Sequence, residues 1–98
     1  MVKIRWTSQA LSDIDSIAEY ISKDSHYYAQ MFVVKIFESV ESIQTFPGAG
    51  RIVPEINNPD IREIVLGNYR IIYRHSSKLV EILTVYHSAR LLKPDKLK

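Results

Sequence analysis

The chain has no cysteine, which excludes disulfide scaffolds and thiolate metal sites. That absence is compatible with a reducing compartment. Long apolar runs are missing too. The opening MVKIRWTSQA has no signal-peptide stretch, and no segment reaches the roughly 20 apolar residues of a membrane span. The chain is read as cytoplasmic, with no membrane contact. Proline and glycine are scarce, at four and three residues, and they are not scattered. Three of the prolines and two of the glycines fall within residues 47–60, PGAGRIVPEINNPD, which reads as a loop with an Asn-Asn-Pro turn signal. There is no internal repeat and no low-complexity segment.

What remains is ordinary for one globular domain spanning 1–98: 46% apolar and 24% charged residues in 98. The net charge is only +2, but it is unevenly placed. Residues 1–60 carry five basic and eight acidic groups, and residues 61–98 carry eight basic and three acidic ones. A basic half points to an anionic partner, either nucleic acid or an acidic protein segment, or else to a basic solvated surface.

Hydrophobic spacing supplies the elements. Residues 2–6 alternate weakly and read as a short strand. Thr7 or Ser8 caps a helix whose inner stripe is Ala10, Leu11, Ile14, Ile17, Ala18 and Ile21. Asp13, Asp15 and Glu19 fall on its other side, the two aspartates near the positive end of the helix dipole. After Lys23-Asp24, Ser25 caps a longer helix running to Thr45. Its stripe is Ala29, Phe32, Val33, Ile36, Val40 and Ile43, with Met31 and Phe37 flanking, and Pro47-Gly48 ends it.

Residues 61–90, IREIVLGNYRIIYRHSSKLVEILTVYHSAR, read as three strands near 61–66, 69–75 and 79–87. Gly67-Asn68 suits a type II′ hairpin turn. On the middle strand Tyr69, Ile71 and Tyr73 oppose Arg70, Ile72 and Arg74. On the last, Leu83, Val85 and His87 oppose Val80, Ile82, Thr84 and Tyr86. Both faces carry apolar residues, so both need cover, and the helices cover one. Pro94 discourages a closing helix in the tail. The fold class is α+β, in the order β-α-α-β-β-β. A helical hairpin packs on one face of a small, mainly antiparallel sheet, with the first strand at an undetermined edge.

Four stretches carry a resemblance. They are Trp6-Thr7 followed by Ala10, Leu11, Asp13, Ile14, Ile17, Tyr20 and Ile21; Phe46-Pro47 followed by Gly50-Arg51; Asn68-Tyr69-Arg70-Ile71-Ile72-Tyr73-Arg74; and Val85-Tyr86-His87-Ser88-Ala89-Arg90. In this order they resemble the RelE/ParE superfamily of toxins from bacterial and archaeal toxin–antitoxin modules. The resemblance covers nearly the whole chain. It implies an antitoxin partner, growth inhibition and plasmid stabilisation, with no cofactor; the three histidines, His26, His75 and His87, show no metal-ligand spacing, so no metal is expected. It also implies a toxin that is either a homodimer or part of a toxin–antitoxin hetero-oligomer.

Two actions compete within that superfamily. ParE-like members poison DNA gyrase by binding it, whereas RelE-like members are ribosome-dependent endoribonucleases that cut mRNA. Cleavage by 2′-OH attack needs a base, an acid and cations over the phosphate. Here the candidates are His87, Glu63, Arg70, Arg74 and Arg90. Glu63 and Ile64 stand where RelE-like enzymes place basic residues, and no tyrosine follows Arg90. The resemblance is therefore closer to ParE, with the endoribonuclease as the alternative and a non-toxic interaction module as a third reading. The residues expected to meet a partner are Arg62, Arg70, Ile72, Arg74, His87 and Arg90. Each also has a plainer role. His87 can bond a backbone carbonyl at the sheet end, and the arginines can pair with Glu63 or Glu81 across the sheet.

Overall fold

The computed structural model describes residues 2–88, and Arg90 and the tail around Pro94 lie outside them. Its elements are β1 (Lys3–Trp6), α1 (Ser8–Ser22), α2 (His26–Thr45), β2 (Arg51–Ile52), β3 (Ile61–Leu66), β4 (Tyr69–His75) and β5 (Leu79–His87). The sheet is mixed, in the order β1-β5-β4-β3-β2. The first strand joins the edge beside β5 and runs parallel to it; the other pairings are antiparallel. Among the described residues no helix is long and apolar enough to cross a membrane.

Both helices start as their capping residues dictate. The Thr7 hydroxyl accepts from Ala10 N–H at 3.1 Å and donates to Ile82 O at 2.7 Å, so one side chain caps α1 and fastens it to β5. Ser25 accepts from Tyr28 N–H at 3.2 Å. Ala10 and Ile14 from α1, with Phe32, Ile36, Val40 and Ile43 from α2, pack on Ile71, Tyr73, Val80, Ile82 and Val85 of the sheet. Leu11, expected in the inner stripe, is 44% exposed. It follows Ala10 by 100° of helical turn, too far round to share the narrow contact that Ala10 and Ile14 make.

Strand alternation on β5 departs from the expected pattern. Ile72 pairs with Thr84 and Tyr73 with Ile82, so Leu83 is an extra residue opposite that step. A bulge of this kind lets residues three apart share a face. Val85 therefore joins Val80 and Ile82 on the helix side, and Leu83 and Tyr86 face the other way. Asp13 holds the bulge: its carboxylate accepts from the Thr84 hydroxyl and from Val85 N–H. Asp13 thus points into the sheet rather than serving the dipole of the first turn, which holds no acid. At the β3–β4 hairpin Gly67 has φ +58° and is the one central turn residue in the positive region, as a type II′ turn requires.

The loop after α2 is not a free connector. It contributes the two-residue strand β2, Arg51 opposite Glu63 and Ile52 opposite Arg62. The buried Tyr73 hydroxyl donates to Pro47 O at 2.7 Å and accepts from Gly50 N–H at 3.0 Å. Arg62 donates to Gly50 O at 2.9 Å and to Pro59 O at 3.0 Å, closing both ends of the loop. A Cβ on Gly50 would lie 2.7 Å from Glu63 O, a backbone atom that has no freedom to withdraw.

Gly50→Ala should therefore destabilise the fold by about 1–3 kcal/mol, the usual scale of overpacking. Gly48→Ala, with nothing within 4 Å of the new carbon, should stay within about 0.5 kcal/mol of the parent. Urea unfolding compares the two. Burial pushes the Tyr73 hydroxyl above the ordinary tyrosine range, against the Gly50 bond and the Arg62 charge, which lower it. The folded state then keeps a proton that the unfolded chain releases. This contribution is complete below about pH 10 and is lost as pH rises beyond it. The alkaline fall in stability should be smaller in Tyr73→Phe, measured by unfolding on both sides of that pH.

Candidate functional site

The face of the sheet away from the helices was expected to lie open, with Arg70 and Arg74 displayed together. Much of it is covered by the chain itself. Val53 in the loop is fully buried against Ile61 and Ile72, and Ile56, Leu83 and Tyr86 pack around them. Ile72 is fully buried. Loop residues 53–56 reach this face because Val53 N–H bonds Ile61 O at 3.2 Å and Asn57 N–H bonds Val53 O at 2.8 Å, turning the chain back over β3. Asn57 takes φ +53° there, a conformation that asparagine tolerates better than most residues.

Beside this apolar cover lies a charged cluster. The Arg70 side chain is 5% exposed, and it donates Nη1 and Nη2 to the two oxygens of Glu55 at 3.0 and 2.7 Å. The same Nη1 donates to Glu63 at 3.1 Å. Glu63, 1% exposed, also accepts from Arg51 Nε. The Glu55 hydrogen bond is the chief reason that the Arg70 guanidinium holds its proton even more firmly than usual. Burial opposes it, and the charges of Glu55 and Glu63 add to it. A carboxylate as deep as Glu63 persists as an ion because cations meet both its oxygens.

Arg74 sits at the exposed end of β4, opposite Glu81, and Glu81 is opposite Arg5 on β1. Arg5 takes the ion pair, at 3.4 Å, and Arg74 makes none within 4 Å among the described residues. Its side chain is exposed. Arg62 is on the helix-side register, opposite Tyr73, with its donors given to loop carbonyls.

His87 lies on the opposite side of the sheet from Arg70 and Arg74. It is in register with Tyr69, and the two rings meet edge to face with centroids 5.4 Å apart. Tyr69 in turn meets Phe32 at 5.2 Å. With Asp13, Ser16, Ile17 and Tyr20 of α1 and Asn68 of the turn, they line an open groove at the rim of the helix layer. The structure thus brings Glu63 and Arg70 together, leaves Arg74 at the far end of the strand and separates His87 from all three. Arg90 is outside the described residues. Among the described residues no three histidine, aspartate or glutamate side chains stand close enough to share a metal ion.

The residue missed from the sequence is Glu55, the acid that anchors the loop over Arg70. A signal existed. Val53 and Ile56 are apolar residues flanking a single acid in a stretch otherwise rich in turn formers, a pattern that a solvated loop does not need.

A helical hairpin on one face of a five-stranded mixed sheet, with Arg62 on β3 and Arg70 and Arg74 on β4, defines a small α+β domain. The model of the ParE toxin of type II toxin–antitoxin system, parDE, matches residues 4–92, and the chain belongs to that family. It is 40% identical over 88 residues to Y4kP of Sinorhizobium fredii, covering 88% of each protein. It is 32% identical over 92 residues to Toxin RelE2 of Caulobacter vibrioides, covering 93% of this chain and 100% of that one. A solved structure titled as the chromosomal ParDE toxin–antitoxin system from P. aeruginosa superposes with a TM-score of 0.73. It is 26% identical, over 89% of this chain and 96% of that chain. The protein is thus a toxin of the ParE/RelE family of type II modules, and its partner is a cognate antitoxin.

Removing Arg70 leaves two buried or half-buried carboxylates with one fewer cation, a loss on the scale of about 3–5 kcal/mol for a broken buried pair. Arg70→Ala should therefore unfold at much lower denaturant concentration than the parent. Arg74→Ala should stay within about 0.5 kcal/mol, as for ordinary surface changes. Equal effects in a denaturation series would show that the cluster does not anchor the loop.

Proposed function

We propose that this toxin acts in the ParE manner, arresting growth by binding DNA gyrase rather than by cutting RNA, and that the antitoxin holds it inactive. The observation that carries the reading is the fate of the acid–base candidates. Glu63 is sealed between Arg51 and Arg70 with no exposed side-chain surface, and His87 is on the other side of the sheet. A general base must come within hydrogen-bond reach of the proton that it takes. Glu63 meets no solvent, and neither Arg70 nor Arg74 stands with His87 to hold a phosphate there.

For partner contact the proposal rests on the groups left at the surface. These are Arg74 with its neighbour Arg5, the accessible part of Arg62, and His87 at the groove beside α1, with Arg90 as a further candidate beyond the described residues. Arg70 and Ile72 serve the Arg74 face from inside by keeping its loop in place.

The ribosome-dependent endoribonuclease is the second reading. It is favoured by the name of the Caulobacter relative, Toxin RelE2, and by the Tyr69–His87 pair in an open groove. The purified toxin should block gyrase supercoiling or trap gyrase–DNA cleavage complexes, with the antitoxin reversing the effect. Gyrase left untouched, together with new mRNA 5′ ends in a translating extract that vanish in His87→Ala, would replace the first reading with the second.

A further inference from the structure

The register of the strands gathers positive charge at one corner of the sheet. Arg74 on β4 is opposite Glu81 on β5, and Glu81 is opposite Arg5 on β1, so the three share the face away from the helices. Lys3 is two residues before Arg5 and is therefore on that face too; both are exposed. The turn into β5 adds Lys78, whose carbonyl accepts from Lys3 N–H at 3.0 Å, and Lys3, Ser77 and Lys78 line one cleft. Four cations thus stand around a single acid. Glu81 pairs with Arg5, whose side chain stays 65% exposed. Lys3, Arg74 and Lys78 make no ion pair within 4 Å among the described residues. The acid before β3, Asp60, meets His75 through its carbonyl and takes no cation among those residues.

Three features of the corner select its occupant. Apolar anchors are missing: the exposed large apolar side chains belong to the helices, to β3 and to the segment between α2 and β3, and none to β1, β4 or β5. A protein partner needs such anchors for the core of its interface, whereas nucleic-acid interfaces are more polar and far more positive. Stacking platforms are missing as well. Trp6 turns to Phe37, with ring centroids 4.8 Å apart, and the exposed Tyr20, Tyr27 and Tyr28 are on the helices. Unpaired strands are held by stacking on such rings, so the corner suits a duplex, whose bases are already stacked. The span fits too. Lys3 and Arg5 are roughly 7 Å apart along β1, and Arg74 is two strands away, roughly 10 Å. Each strand of a duplex carries about one phosphate per 3.4 Å of axis, so the corner meets about three of them.

We propose that this corner, Lys3, Arg5, Arg74 and Lys78, binds the phosphate backbone of duplex DNA. The proposal rests on the gyrase reading, which brings the toxin to an enzyme that holds such a duplex, and it adds a contact with the DNA itself. Lys3, Arg74 and Lys78 each neutralise one phosphate, Arg5 is shared with Glu81, and the Ser77 hydroxyl donates beside Lys78. Contacts of this kind fix position and carry no base sequence.

Fluorescence anisotropy of a labelled DNA duplex titrated with the full chain tests it. Three neutralised phosphates set an affinity that falls roughly 40-fold between 50 and 200 mM salt. Lys3→Gln, Arg74→Gln and Lys78→Gln should each bind more weakly and lower that factor to about 12. Lys23→Gln and Lys35→Gln, exposed on the helix layer, should match the parent. In an amide-shift titration of the unaltered chain the Lys3, Arg74, Ser77 and Lys78 signals should move, a readout that stands even where a variant fails to fold. No binding at 50 mM salt, equal losses from the helix-layer substitutions, or shifts confined to other residues overturns the proposal. So does a poly-glutamate peptide or an RNA duplex that binds more tightly than the DNA, since the occupant is then an acidic protein or RNA. Gyrase inhibited by a toxin that does not bind DNA overturns this proposal alone. Gyrase left untouched by a toxin that does bind the duplex at this corner upholds the contact and overturns the gyrase reading alone.

Discussion

The carboxylate of Glu63 constrains the whole second face of this sheet. It stands near the middle of β3, its side chain out of contact with solvent, where an ion survives only with cations on its oxygens. Arg51 and Arg70 supply them from the flanking strands. Arg70, once buried for that purpose, needs a second acid, and Glu55 can provide it only if the loop folds over the sheet. Val53 and Ile56 then cover Ile61 and Ile72. The two-residue strand, the turned-back loop and the small apolar cluster all follow from seating one acid between two arginines.

The opposite face is organised by smaller devices that tie the helices to the sheet. Thr7 caps α1 and bonds β5 with the same hydroxyl. Asp13, one turn later, holds the β5 bulge. The bulge lets Val80, Ile82 and Val85 share one apolar surface under the helices, and it carries His87 to the helix side. A single extra residue in one strand therefore decides on which side of the molecule that histidine stands. The Tyr73 hydroxyl, bonded to Pro47 and Gly50, fixes the start of the loop from the helix side, and Arg70 holds its middle from the other.

Most of the architecture was legible in the residues. Ser25 and Thr7 announce their helices, period-3.6 stripes set their inner faces, and Gly67-Asn68 sets the hairpin. What escaped depends on contacts between residues far apart in the chain. The β2 strand is only Arg51–Ile52, too short for any periodicity to register. The bulge at Leu83 is written in no local composition, since its cause is Asp13, some seventy positions earlier. Strict alternation therefore misassigned the end of β5. Arg70 and Arg74 look alike in NYRIIYR, yet one is buried by two acids and the other displayed. Nothing within the strand distinguishes them; Glu55 and Glu63 do.

The parallel pairing of β1 with β5 bears on how the protein comes into being. The first strand emerges from the ribosome before the rest of the sheet, but among the described residues its hydrogen-bonding neighbour is β5, the last of the described strands to be made. Contacts so distant along the chain carry a loop-closure cost and form late. The helical hairpin and the β3–β4 ribbon can take shape while synthesis continues, but the sheet cannot close. A chain interrupted before Leu79 has an orphaned first strand and helices with only part of a sheet beneath them, so unfinished copies of this toxin lack its native surface.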